Sequence, residues 1–186
     1  CLELGASDFF PKPYNQRVVK ARINSVIKLK ESAAALSAIE YDDLTGLYTK
    51  SAFYYHAGIL MRYKPDQSYA VIIADVKNFK LINNIYGIRV GDDILRYLAK
   101  IMSKALTDGL AARYSDDQFV MFTSISKNDF EKRLENAVKY ISENAPIANL
   151  LVKYGVYKDV DKSISISEIC DRAIMAMKSI QLNYEK

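Results

Sequence analysis

The residues best suited to chemistry lie in two distant stretches. In the first, Ala70-Val71-Ile72-Ile73-Ala74-Asp75-Val76-Lys77, an apolar run ends on an acid. In the second, Leu110 to Phe122, two short apolar runs flank the polar, acidic tip Ser115-Asp116-Asp117-Gln118, a pattern that predicts a β-hairpin. A buried strand that carries a carboxylate towards an acidic hairpin is one way to hold a metal ion and a phosphate ester, because hard cations favour oxygen ligands. In most domains such a tip is only a solvated turn. Its distant partner Asp75 gives this one chemical interest.

Elements that could position the two stretches follow from the pattern around them. Asp42-Asp43-Leu44-Thr45-Gly46 predicts a turn in which Asp42 and Thr45 bond the backbone, followed by a helix from about Lys50 to Tyr63. Tyr69 to Val76 predicts a strand, apolar on both faces and therefore central. Two helices follow, roughly Phe79 to Tyr86 and Gly91 to Leu106, then the hairpin, then a helix from about Asp129 to Asn144. Leu150 to Tyr157 alternates as a strand. Ser165 with Glu168 three residues later forms a capping box for a last helix running to about Gln181. This order predicts an α+β fold, a ferredoxin-like antiparallel sheet flanked by helices.

Composition sets the bounds. With 186 residues, 50% of them hydrophobic, the chain suits one domain, or one domain and an appendage, with a sizeable core. The 26 basic and 22 acidic residues are spread along it, a mildly basic surface rather than a nucleic-acid stripe, so direct nucleic-acid binding is not expected. Cys1 and Cys170 are no disulfide framework and fit a reducing cytosol. No apolar run approaches the ~20 residues that span a bilayer, so no membrane insertion is expected. The single histidine, His56, falls within a helical pattern and reads as structural.

Residues 15–40 form a second region. Val19, Ile23, Val26, Ala33, Leu36 and Ile39 recur at helical spacing with Lys and Arg between them. The stripe predicts a helical stalk or a dimerising coiled coil, and hence a homodimer through the stalk. Before it, in residues 1–14, Gly5-Ala6-Ser7-Asp8-Phe9-Phe10-Pro11-Lys12-Pro13 reads as a helix end, a short strand and a turn. That run resembles the last part of a response-regulator receiver domain, and Lys12 matches the lysine that reaches the family's phosphorylated aspartate. The chain thus reads as a segment of a longer protein.

From Tyr41 to Asn183 a second resemblance covers the chain. Asp42-x-Leu44-Thr45-Gly46-Leu47, then Asp75-x-x-x-Phe79-Lys80-x-x-Asn83, then Gly91-Asp92-x-x-Leu95, resemble the GGDEF domains, the diguanylate cyclase family. Arg113-Tyr114-Ser115-Asp116-Asp117-Gln118-Phe119 falls where that family carries R-Y-G-G-D-E-F, and Asp171, Ala173 and Lys178 match its closing helix. Active members join two GTP molecules into cyclic di-GMP across a pair of domains, assisted by divalent metal. The resemblance implies that Asn83 and Asp92 hold the guanine edge, with Phe79 beside them. Lys80 and Lys178 then meet phosphates, and Asp75, the carbonyl of Val76 and Asp117 hold Mg²⁺. It also allows an EAL-type domain to follow in a full chain.

The departures gather at the same site. Ser115 and Asp116 replace two glycines that would serve a tight hairpin and close backbone approach to phosphate. Asp116 blocks the site by bulk and by charge: one like-charge pair at about 4 Å costs roughly 4 kcal/mol at an effective dielectric near 20. Gln118 removes the carboxylate that precedes the final Phe. Lys77 replaces a second acid and, sharing a strand face with Asp75, takes over the electrostatic role of the metal. Leu182 stands where the family has an arginine. Leu106 and Gly109 replace the two charges of its inhibitory product site. The expected function is a catalytically silent, regulatory, GTP-sensing or dimerising module in a cytoplasmic response regulator. A working cyclase and a nucleotide-free interaction scaffold are the alternatives.

Overall fold

The computed structural model describes residues 15–105, 109–125 and 130–184. The receiver-like segment with Lys12 lies outside the described residues, as does Leu106. Two compact units divide the chain, residues 1–38 and 39–186.

In the first unit lies most of α1 (Gln16–Glu40), a 25-residue helix. Its Ile23 and Ile39 side chains are 48% and 65% exposed, so part of its apolar stripe is left uncovered.

The second unit is an α+β sandwich. Its elements are β1 (Tyr48–Thr49), α2 (Lys50–Tyr63), β2 (Tyr69–Val76), α3 (Phe79–Tyr86) and α4 (Ile88–Ala105), then β3 (Gly109–Arg113), β4 (Gln118–Ser124), α5 (Phe130–Asn144), β5 (Val152–Tyr157) and α6 (Ile166–Tyr184). The sheet order is β1-β3-β4-β2-β5. All pairs are antiparallel except β1 with β3, so the expected antiparallel sheet is mixed at one edge. Strand β1 is only two residues long, too short for alternation to announce it.

Strand β2 decides the layering. Ala70, Ile72, Ala74 and Val76 face one core with Ile94, Leu95 and Leu98 of α4. Tyr69, Val71 and Ile73 face the other with Phe53 of α2 and Ile169 of α6. Both faces of β2 are buried, as its continuous apolar run requires. Helices α3 and α4 are separated by Gly87 alone, at φ 87°, a conformation that favours glycine. The second helix therefore begins at Ile88 rather than Gly91.

The local signals act as expected elsewhere. Thr49 caps α2 by accepting from the Ala52 amide, and the Ser165–Glu168 box closes in both directions. His56 packs tilted against Tyr48, ring centroids 4.8 Å apart, and lies 3.5 Å from Glu40, a packing role. Burial, with Asp171 beside it, pushes the Cys170 thiol up to about 12, which makes it an inert core residue.

Gly155 marks where α6 lies directly on β5. A Cβ there would stand 2.3 Å from the Ala173 carbonyl oxygen and 2.4 Å from the Met177 amide nitrogen. Backbone cannot move aside as a flexible side-chain tip can. Gly155→Ala is therefore expected to destabilise the domain by about 3 kcal/mol in urea unfolding.

Candidate functional site

At one end of the sheet, β2 and the β3–β4 hairpin bring Asp75, Val76, Asp117 and Gln118 together. Asp75 pairs directly with Gln118 in the register, and the Val76 amide donates to the Asp117 carbonyl at 3.3 Å. Side chains that face each other across an antiparallel pair lie on one side of the sheet. The Gln118 amide accordingly donates to Asp75 Oδ2 at 2.8 Å and accepts from Ser115 Oγ at 3.2 Å. A neutral amide here latches the hairpin tip to the acid of β2.

The tip is held from the other side by Arg113. Its Nη1 reaches both oxygens of Asp42, at 3.1 and 3.3 Å, while Nη2 and Nε donate to the Asp116 carbonyl at 2.8 and 3.2 Å. Asp42 also accepts from the Thr45 amide and hydroxyl. Burial alone would raise Asp42, but the Thr45 bonds and Arg113 outweigh it and hold the carboxyl below its ordinary range. With this clamp the tip closes without a positive φ at Ser115 or Asp116. The hairpin geometry therefore does not need glycine at either position, contrary to expectation.

Asp117 is shifted the other way. Burial raises it first, then the Asp75 and Asp116 carboxylates, with Arg113 only partly offsetting them. Asp116 itself is exposed, and its side chain points no hydrogen bond into the site among those present.

Lys77 does not do what its spacing suggested. Strand β2 stops at Val76. The Lys77 amide binds the Leu151 carbonyl, Asn78 turns the chain at φ 58°, and the exposed ammonium pairs with neither Asp75 nor Asp117. The cation that the sheet places opposite Asp75 is Lys153 of β5. Sequence spacing could not reveal it, because the pairing joins residues far apart in the chain.

The second group of residues lies on α3 and α4. Phe79 packs half-buried against the core, and Lys80 is exposed. Asn83 Oδ1 is buried without a partner. It fits because Gly91 has no side chain: a Cβ there would meet that oxygen at 1.9 Å. Asp92 follows, half-buried, in the first turns of α4. A buried polar atom left without a partner is costly and calls for an explanation, a ligand or an ordered water among them. Lys178 is exposed on α6, on the other face of the sheet.

The sequence model of the family described as "Diguanylate cyclase, GGDEF domain" matches residues 39–184. The chain belongs to the GGDEF domain family. Among curated relatives, it is 33% identical over 104 residues to diguanylate cyclase VdcA of Vibrio cholerae, an alignment of 52% of this chain and 28% of VdcA. It is 25% identical over 131 residues to response regulator PleD of Caulobacter vibrioides, covering 64% of this chain and 29% of PleD. The chain thus spans under a third of either relative. Among solved structures, the coiled coil and GGDEF domain of DgcB from Caulobacter crescentus, in complex with c-di-GMP, superposes with a TM-score of 0.72. That match covers 89% of this chain and 95% of DgcB's at 19% identity, a likeness of fold. The GGDEF fold here is the α+β arrangement expected from the sequence.

As a cation site, this GGDEF domain offers two carboxylates, one of them already bonded to an amide. Among the described residues no three His, Cys, Asp or Glu side chains gather as metal ligands. The donor set suits a cation carried in by a phosphate and completed by it, rather than one caged by protein alone.

Two outcomes test these contacts. Arg113→Met removes charge-assisted bonds at a half-buried position and is expected to cost about 2 kcal/mol in urea unfolding. Asp117 binds its proton more tightly folded than unfolded, so its contribution to stability falls as pH rises through the acid range. Asp117→Asn should accordingly stabilise the domain at neutral pH, with the gain vanishing below the ordinary carboxylate range. A melting-temperature series against pH checks both the sign and the window.

Proposed function

We propose that this GGDEF domain is a regulatory, nucleotide-sensing module of a cyclic di-GMP response regulator that does not itself condense GTP. The carrying observation is the 2.8 Å hydrogen bond from Gln118 to Asp75. A donor occupies the carboxylate oxygen that a metal would need, in place of a third acid that would attract one. Mg²⁺ would supply charge neutralisation at the transferring phosphate. On this reading Asp75 and Asp117 would hold it, and Gln118 weakens that hold. Asp116 adds a negative charge beside the phosphates. Asn83 and Asp92 remain for the guanine edge, where a partnerless amide and a carboxylate supply acceptors and donors. Lys80 and Lys178 remain for phosphate. A homodimer through α1, with its exposed apolar side chains, fits a stalk between an input domain and this one, and an EAL-type domain could follow.

Calorimetric titration with GTP, with and without Mg²⁺, on the wild type and on Asp116→Gly tests this reading. Weak, metal-independent GTP binding by the wild type is expected, strengthened roughly tenfold or more in Asp116→Gly as the like charge leaves. Tight, Mg²⁺-dependent binding by the wild type would favour a working cyclase. Absence of binding in both proteins would favour a nucleotide-free scaffold.

A further inference from the structure

We propose that the cleft between α4 and α5 is a binding site for a short-chain anionic amphiphile, its tail beneath α5 and its charged head at the mouth. This site is separate from the nucleotide surface and does not depend on the function proposed for it.

Helix α5 is fixed at its ends. Its buried residues are Phe130 and Ile141, and the Tyr97 hydroxyl of α4 donates to the Tyr140 carbonyl at 3.3 Å. Between those anchors Leu134, Ala137 and Val138 are only half-buried and line a cavity of about 130 Å³ against the sheet. Its other walls include Ile72, Met102, Met121 and Leu150. Ala105 and Ala137, which also line it, are too small to fill the gap. An apolar cavity of about this size accepts a benzene-sized guest, so a tail of about six carbons is the fit.

The mouth sets the chemistry of the head. Ile101, Ala105 and Ala137 also line a wider cleft of about 570 Å³, bordered by Tyr97, Lys100, Lys104, Arg133 and Tyr140. Lys100 and Lys104 stand one turn apart on α4, and neither pairs with a carboxylate among the described residues. A carboxylate head would find two ammonium groups there while its tail leaves water.

The test is calorimetric titration of the chain with sodium hexanoate and with hexanol, its uncharged counterpart. Methyl NMR of the methionines runs alongside. Hexanoate is expected to bind saturably and shift Met102 and Met121, leaving exposed Met175 unmoved. Replacing Lys100 and Lys104 together with Gln should weaken hexanoate roughly fivefold and leave hexanol unchanged. Ala137→Leu should fill the cavity, abolish binding of both and raise the melting temperature. Hexanoate binding without methionine shifts, or undiminished in the lysine variant, would overturn the proposal. So would failure of wild-type chain to bind hexanoate, or sedimentation with phosphatidylglycerol vesicles in place of that binding.

Discussion

One guanidinium holds the site end of the domain in shape. Arg113 closes β3, reaches back to Asp42 at the start of the domain and forward to the Asp116 carbonyl at the hairpin tip. The turn at the start of the domain and the hairpin tip thus meet on one planar, five-donor group, which a lysine could not replace with comparable geometry. The tip's position relative to β2 follows from that clamp, and so does everything Asp117 and Gln118 can do. It also explains how residues other than glycine sit at the tip without backbone strain.

Around the clamp the electrostatics divide. Asp42 is satisfied by Arg113 and Thr45 and is held low, whereas Asp117 is crowded by burial and by two other acids and is held high. Gln118 settles part of this conflict with a neutral donor on Asp75, and Lys153 faces that acid from β5. The arrangement lowers the demand for an external cation without removing it.

Much of the fold was legible because its signals are local. The apolar run at Tyr69–Val76, the break at Gly87 and the Ser165–Glu168 box each fix an element from neighbouring residues. The candidate site residues Asp75, Asn83, Asp92 and Asp117 rest on resemblance, and the fold sets Asp75 near Asp117 and Asn83 against Gly91, beside Asp92. Most of the misses are non-local. Strand β1 exists only because β3 pairs with it. Lys77 loses its expected role because it lies just past β2, which ends at Val76 as expected, and the chain turns away at Asn78, while strand register sets Lys153 opposite Asp75. Gln118 looked like a lost carboxylate, while its amide forms the hydrogen bond that latches the tip.

The sheet order leaves its two outer strands unequal. Strand β1 presents two residues at one border, but β5 presents six, Val152–Tyr157, with main-chain groups on one side not used by the sheet. A strand of that length is a template on which another extended chain could add and propagate. Lys153 within it carries charge at that border, Lys158 just past it is paired with Glu131, and Gly155 lets α6 lie close against the strand. A charged residue on an edge strand is one of the devices that blunt such pairing, and Lys153 stands at that position as well as opposite Asp75.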